Sequence, residues 1–204
     1  VKITDLQQDG QPVVMSNYEG LRAVGLTSGV EGYVVKTSTG LESQAPDLNT
    51  LHIRYVKGSG ANTAFSTTEY IRLENYRTAA TVATVQAAGN VTGVASAAIG
   101  NGTALRVSEG IIYQKGVFIG VDKQLVIVDA YSVTPDAKSA GFVVAETTIN
   151  SFNDTSLLDN AAGFNNANAP GADRIQLRPV LTVKTTALAN ADEDFFTLVE
   201  YQNG

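Results

Sequence analysis

The chain reads as all-β and mainly antiparallel, either a β-sandwich or a set of meander-rich sheets with short helical turns and long loops. Three observations predict this. Apolar and polar residues alternate with period two far more often than with helical spacing. Val, Ile, Thr and Tyr dominate the alternating segments. Pairs rich in Gly, Asn, Asp and Pro punctuate them, as turns require.

Taken in order, a strand is predicted across Gly32 to Thr37. The clearest one in the first half is Leu51 to Lys57, which sets Leu51, Ile53 and Tyr55 on one face and His52, Arg54 and Lys57 on or near the other. Gly58-Ser-Gly60 ends it, and Glu69 to Glu74 alternates in the same way. From Thr78 to Leu105 there is no charged residue, and Ala, Thr, Val, Gly, Ser and Asn make up almost the whole run. Two readings of it stand. It is a strand or extended flap packed on a neighbouring subunit through Val82, Val85, Val91, Val94 and Ile99, or a surface excursion turning at Gly89-Asn90 and Asn101-Gly102. The expected organisation is a β region over 1–77, a connecting or interface segment over 78–108, and a C-terminal β domain over 109–204, with a shared core left open.

The second half begins as a meander. Strands are predicted over Glu109 to Gln114, Val117 to Val121 and Gln124 to Val128, joined by two-residue turns at Lys115-Gly116 and Asp122-Lys123; Gly116 supplies the positive φ that such turns demand. Phe142 to Ile149 is expected to continue the sheet after Pro135-Asp136. Asp154 is placed to cap a short helical turn over Thr155 to Asp159, burying Leu157 and Leu158. Arg174 to Lys184 and Phe195 to Tyr201 supply the last strands.

Charge and composition narrow the function. Net charge is −6 and the basic residues are scattered, so no footprint for a phosphate backbone appears and nucleic acid is not an expected partner. Only 17% of residues are charged, which favours permanent contacts with other chains. Without cysteine there is no disulfide, thiolate or cysteine zinc chemistry. No stretch of about 18 apolar residues is present to insert in a membrane. The opening Val1-Lys-Ile-Thr lacks an initiator Met, which suggests a piece of a longer or processed polypeptide.

Catalytic chemistry is poorly provided for, and the expectation is no enzyme, no cofactor and no metal site. His52 is the only imidazole and lies in a strand beside Arg54 and Lys57, as surface or interface residues do. Asp192-Glu193-Asp194 is the one tight acidic cluster, and it reads as a solvated tip before Phe195. The Asn- and Asp-rich stretch from Asn153 to Asn168 lacks the alternating spacing of a calcium loop, so its side chains are expected to bond the loop to itself.

The ordered series Glu109 to Val121, Gln124 to Tyr131, Pro135, Gly141 and Glu146, followed by Asp154-Thr-Ser-Leu-Leu-Asp-Asn-Ala-Ala-Gly163 and Ala169-Pro-Gly-Ala-Asp-Arg174, resembles a domain of unknown function, DUF4815-like, found in tail-fibre and baseplate-associated proteins of tailed phages. The resemblance implies a virion structural protein of the tail, made in the bacterial host cytoplasm and acting by protein–protein assembly with other tail or baseplate proteins. It further implies a homo-oligomer, a trimer being favoured where fibres are concerned. It brings no catalytic residues. Its most specific segment is read as a structural clasp: Pro170 and Gly171 turn sharply, Leu157 and Leu158 plug the sheet, and Arg174 pairs with Asp154 or Asp159. The alternative is a receptor-binding module that recognises host surface glycans through exposed Tyr and Asn side chains.

Overall fold

The computed structural model describes residues 1–4, 7–8, 11–12, 14–40, 48–88 and 99–202. Strand accounts for 52% of the chain and helix for 7%, so the fold is all-β, and every strand pairing with a described register is antiparallel. The chain divides into two compact units, Val1–Ala104 with Asp129–Val133, and Leu105–Val128 with Thr134–Gly204.

The first unit contains β1 (Ile3–Thr4), β2 (Gln7–Gln8), β3 (Gln11–Pro12), a 3-10 turn at Met15–Tyr18, β4 (Arg22–Gly25), β5 (Glu31–Ser38), β6 (Thr50–Lys57), β7 (Tyr70–Glu74) and β8 (Thr81–Ala87). Six of these strands form one curled half-barrel sheet in the order β1-β8-β7-β4-β5-β6, while β2 and β3 pair separately. The register shifts in the β5–β6 and β7–β8 ladders, and such bulges increase local twist and bend. At one end the two edge strands come together, with Lys2 bridging Thr50 and the Ile3 N–H donating to the Asn49 carbonyl at 2.9 Å.

The concave side is filled by the residues that alternate inward. Ile3, Ala23, Val34, Leu51, Ile71, Leu73 and Val85 join Tyr18, Val30 and Phe65 in one core. Gly32 permits the close approach of β5 to β6, because a Cβ there would strike Ile53 and the Arg54 carbonyl. Two acids are buried with partners. Glu69 accepts from the N–H groups of Thr27 at 3.2 Å and Ser28 at 2.9 Å, from the Ser28 hydroxyl at 2.9 Å, and from Ser66 N–H. Glu74 is held by Arg22 and Arg72, and Arg22 also reaches Glu31, which Lys57 pairs in turn. The result is a charge ladder across β7, β4, β5 and β6.

The second unit holds most of β9 (Thr103–Val107) and β12 (Gln124–Asp129), with β10 (Gly110–Gln114), β11 (Val117–Val121), β13 (Lys138–Ile149), a 3-10 turn at Thr155–Leu157, β14 (Arg174–Thr185), a short helix α1 (Thr186–Asn190) and β15 (Phe195–Tyr201). β10 and β11 form the expected hairpin, with Lys115 at φ 50° and Gly116 at φ 84° as its type I′ turn. β13 lies between β14 and β15 in a three-stranded sheet. Val121, Phe142 and Leu181 form its core, lined by Leu105, Val107, Ile112, Val126 and Phe196.

Several expectations are corrected. β12 pairs with β9 and not with β11, so the three-strand meander is a hairpin followed by a strand in a different sheet. Phe142 to Ile149 belongs to the three-stranded sheet and does not extend that hairpin. The expected break at residue 78 is absent: β8 sits between β1 and β7, and the first unit runs on to Ala104. Val85 is 4% exposed in the core of the curled sheet and so is not available to another chain, while Ile99 is half-buried and packs against the same core. Val82 is on the exposed side of β8. Val91 and Val94 lie outside the described residues.

Candidate interaction surface

β13 and β14 pair along their whole length, from Lys138↔Thr185 to Ile149↔Arg174, but β15 accompanies β13 only as far as Val143. From Val144↔Pro179 outward the sheet is therefore a two-stranded arm. The burial pattern changes at the same place. Ser139, Ala140, Gly141 and Phe142 are buried, while Ala145 to Thr148 are exposed, because the inward apolar residues give way to Ala-Glu-Thr-Thr. A two-stranded ribbon is marginal in water by itself, so an arm of this kind leans on what ties down its tip and on what covers it.

The tip is tied down by the loop 150–173. The Asn150 carbonyl accepts from the N–H groups of Asn153 and Asp154, both at 3.0 Å, and Asp154 caps the 3-10 turn by accepting from Ser156 N–H at 2.9 Å. Hydrogen bonding to Ser156, first to its side chain and then to this N–H, holds the Asp154 pKa below its ordinary value. Leu157 is buried and Leu158 bridges Pro170. Gly171 N–H donates to the Leu157 carbonyl at 2.9 Å, and a Cβ on Gly171 would collide with that oxygen. Asp159 exchanges backbone bonds with Ala169 and Asn168, and its carboxylate accepts from Ala161 N–H at 2.9 Å and the Asn166 amide at 2.6 Å.

Of the seven clasp candidates, Asp154, Leu157, Leu158, Asp159, Pro170 and Gly171 converge in this loop. Arg174 does not. It opens β14, exposed, and among the described residues it has no carboxylate at ion-pair distance. Its effect on Asp154 is the smallest of the four influences there. Pro170 closes a bridge rather than making a turn, and the positive φ values fall at Gly163 and Asn168.

Apolar side chains stand out around this frame. Phe152 is 91% exposed and Phe164 74% exposed on the loop, and Ile175 is 67% exposed at the start of β14. The β10–β11 hairpin adds a second surface. Its inner face buries Ile119 and Val121, whereas Ile111, Tyr113 and Phe118 stand on the outer face with the two rings 5.0 Å apart. The Gln114 side chain fastens the hairpin tip by donating to the Asp194 carbonyl at 2.9 Å, and Lys115 pairs with the Asp194 carboxylate. No reading of the sequence singled out this face. The signal was present: Gly110-Ile-Ile-Tyr and Val117-Phe-Ile are apolar on both faces of a two-stranded hairpin, which can bury only one of them.

The remaining candidates are occupied. Asp192 pairs with Lys184, and this bond lowers the Asp192 pKa. His52 is half-buried with its Nε2 2.7 Å from the Ser38 hydroxyl, and burial above all brings its pKa down to about 4. A groove of about 390 Å3 beside Met15, Lys36 and Asn49 in the first unit has its polar groups satisfied from within: Glu19 accepts from Lys36 at 3.2 Å and from the Thr37 N–H at 3.0 Å. Among the described residues no group of three or more His, Asp or Glu side chains is placed to hold a metal ion. No helix among them is long and apolar enough to cross a membrane.

Compared with known families, residues 49–204 match the family described as "Domain of unknown function (DUF4815)". No curated protein and no solved structure matches the chain.

Proposed function

This chain belongs to the DUF4815 family, and on that premise we propose that it is a structural protein of a bacteriophage virion, part of a tail fibre or of the fibre's attachment to the baseplate. It acts by protein–protein assembly and not by catalysis, with neither nucleic acid nor a membrane interior among its partners. One observation carries the reading: the second unit extends a two-stranded arm beyond its third strand and tips it with exposed Phe152, Phe164 and Ile175. Large apolar side chains left this exposed on one loop and the strand that follows it are what a contact surface supplies.

The same reading includes self-association, with a trimer favoured, through the outer face of the β10–β11 hairpin. Phe118→Asp then shifts the oligomer toward monomer in sedimentation. The test of the whole assignment is a cryo-electron reconstruction of the intact particle. Density for this fold at the baseplate or fibre root in three- or six-fold multiples is expected, and absence from the particle overturns the assignment.

The second reading is a receptor-binding module for host surface glycans. What favours it is the exposed Tyr113–Phe118 ring pair, since sugars stack on such faces. Glycan-array binding that is lost in Phe118→Ala would select it over the assembly role.

A further inference from the structure

We infer that the outer edge of β14 between Arg174 and Arg178 is a strand-addition site for an extended acidic segment of a partner protein, of the pattern acid, apolar, any, apolar, acid. The inference rests on reading the chain as an assembly protein and names the chemistry of one partner.

The orientation of the edge follows from Gln124. Its side-chain amide donates to the Pro179 carbonyl at 2.9 Å and accepts from Leu181 N–H at 2.8 Å. Pro179 and Leu181 therefore direct their backbone groups away from β13. In an antiparallel pair the N–H and C=O of one residue share a side and successive residues alternate. Ile175 and Leu177 thus face outward too, beyond the reach of Gln124, and among the described residues no bond is made to their outward N–H and C=O groups.

The side chains around that edge are sorted by face. Ile175 and Leu177 lie on one face; Arg174, Gln176 and Arg178 lie on the other. Both arginines are exposed, and among the described residues neither has a carboxylate at ion-pair distance, in a chain whose net charge is −6. An added antiparallel strand places two acids opposite Arg174 and Arg178, and two apolar residues opposite Ile175 and Leu177, where the ladder bonds form.

A second β14 does not meet this requirement. Two-fold pairing about Gln176 sets Arg174 opposite Arg178 of the copy on both sides of the axis, and like charges directly opposed are destabilising. Edge charges and Pro179 guard against pairing with arbitrary strands. Guarding alone, however, does not account for Ile175, an apolar side chain left in water on the open ladder itself.

The test titrates the whole chain with the peptide Thr-Thr-Glu-Val-Thr-Val-Glu-Thr-Thr and with the same peptide carrying Gln for Glu, following amide shifts by NMR. The acidic peptide is expected to shift the amides of Ile175 and Leu177 and to bind roughly fivefold more tightly than the neutral one. That preference disappears in Arg174→Ala/Arg178→Ala and shrinks at high salt. Leu177→Pro removes an outward donor without breaking a β13–β14 bond, as Pro179 already does in this strand, though it also trims a half-buried side chain, and it is expected to abolish binding while leaving the β13–β14 ladder in place. Equal binding of the two peptides, or binding that survives Leu177→Pro, overturns the inference. A lower oligomeric state in Leu177→Pro also overturns it, since a second copy then covers the edge. None of these readouts involves the virion, so they fail or succeed independently of particle location.

Discussion

The two units differ in how far they gather their apolar residues into one core. The first curls one sheet around twelve buried core residues running from Ile3 to Ala87, and it also buries Glu69 and Glu74 with their partners. The second gathers a smaller clustered core of Val121, Phe142 and Leu181, with Ile119, Val128, Leu157 and Phe195 buried outside that cluster, while Ile111, Phe118, Phe152, Phe164 and Ile175 lie open. Full burial of a large apolar side chain is worth roughly 1.5 to 3 kcal/mol, so the first unit collects this stabilisation within the chain. The second leaves a large share uncollected. The contrast makes the first unit the better-packed region and is what the proposed contact role of the second rests on.

The contrast breaks most visibly at Val85. Aspartate there places an unpaired charge in the curled sheet's core, and Val85→Asp is expected to unfold the first unit rather than dissociate an oligomer; calorimetry showing a native transition alongside monomerisation would refute the core assignment. Next in size, Ile71→Ala is expected to cost about 3 kcal/mol in urea unfolding, whereas Ile175→Ala should stay within about 0.5 kcal/mol and reduce only association. Glu69→Ala removes the acceptor for three N–H groups and a hydroxyl, a loss of about 2 kcal/mol that Glu69→Gln should recover only in part.

A smaller effect is expected from pH. His52 has a folded pKa of about 4 against an ordinary 6.5, so the unfolded chain binds its proton first as pH falls. The contribution is intact above about pH 6.5 and declines between there and about 4, amounting to roughly 1 kcal/mol once partial exposure is discounted. His52→Gln should flatten that part of the stability profile. The smallest effect is that of Arg174→Ala on the isolated chain, expected to leave the melting temperature unchanged because among the described residues no carboxylate lies at ion-pair distance from it.

Local chemistry was readable in the sequence. Alternation located β6 and β7 within a residue, Lys115-Gly116 announced its own hairpin, and Asp154 its cap. Pairing across distance was not readable. β12 chooses β9 over the adjacent β11, and β8 enters the first sheet despite a composition suited to a linker, since small residues pack between strands as readily as they loop. β4 escaped notice because Arg22 occupies a place that looks like a surface position; its charge is absorbed by Glu31 and Glu74, one near and one far along the chain. The clasp residues were visible as a group, yet Arg174 lies outside it, since the loop folds Asp154 and Asp159 onto Ser156, Ala161 and Asn166, which no spacing reveals.

Gln124 sets a datum on the arm. Its amide stands where a neighbouring strand would otherwise run on past Pro179, so a docked segment must stop at one fixed rung. A slip of two residues along the ladder would drive the segment into that amide or off the open end. The side chain thereby acts as a gauge: it converts a continuous edge, on which partners could slide, into a single seat with a defined distance to the tip of the arm.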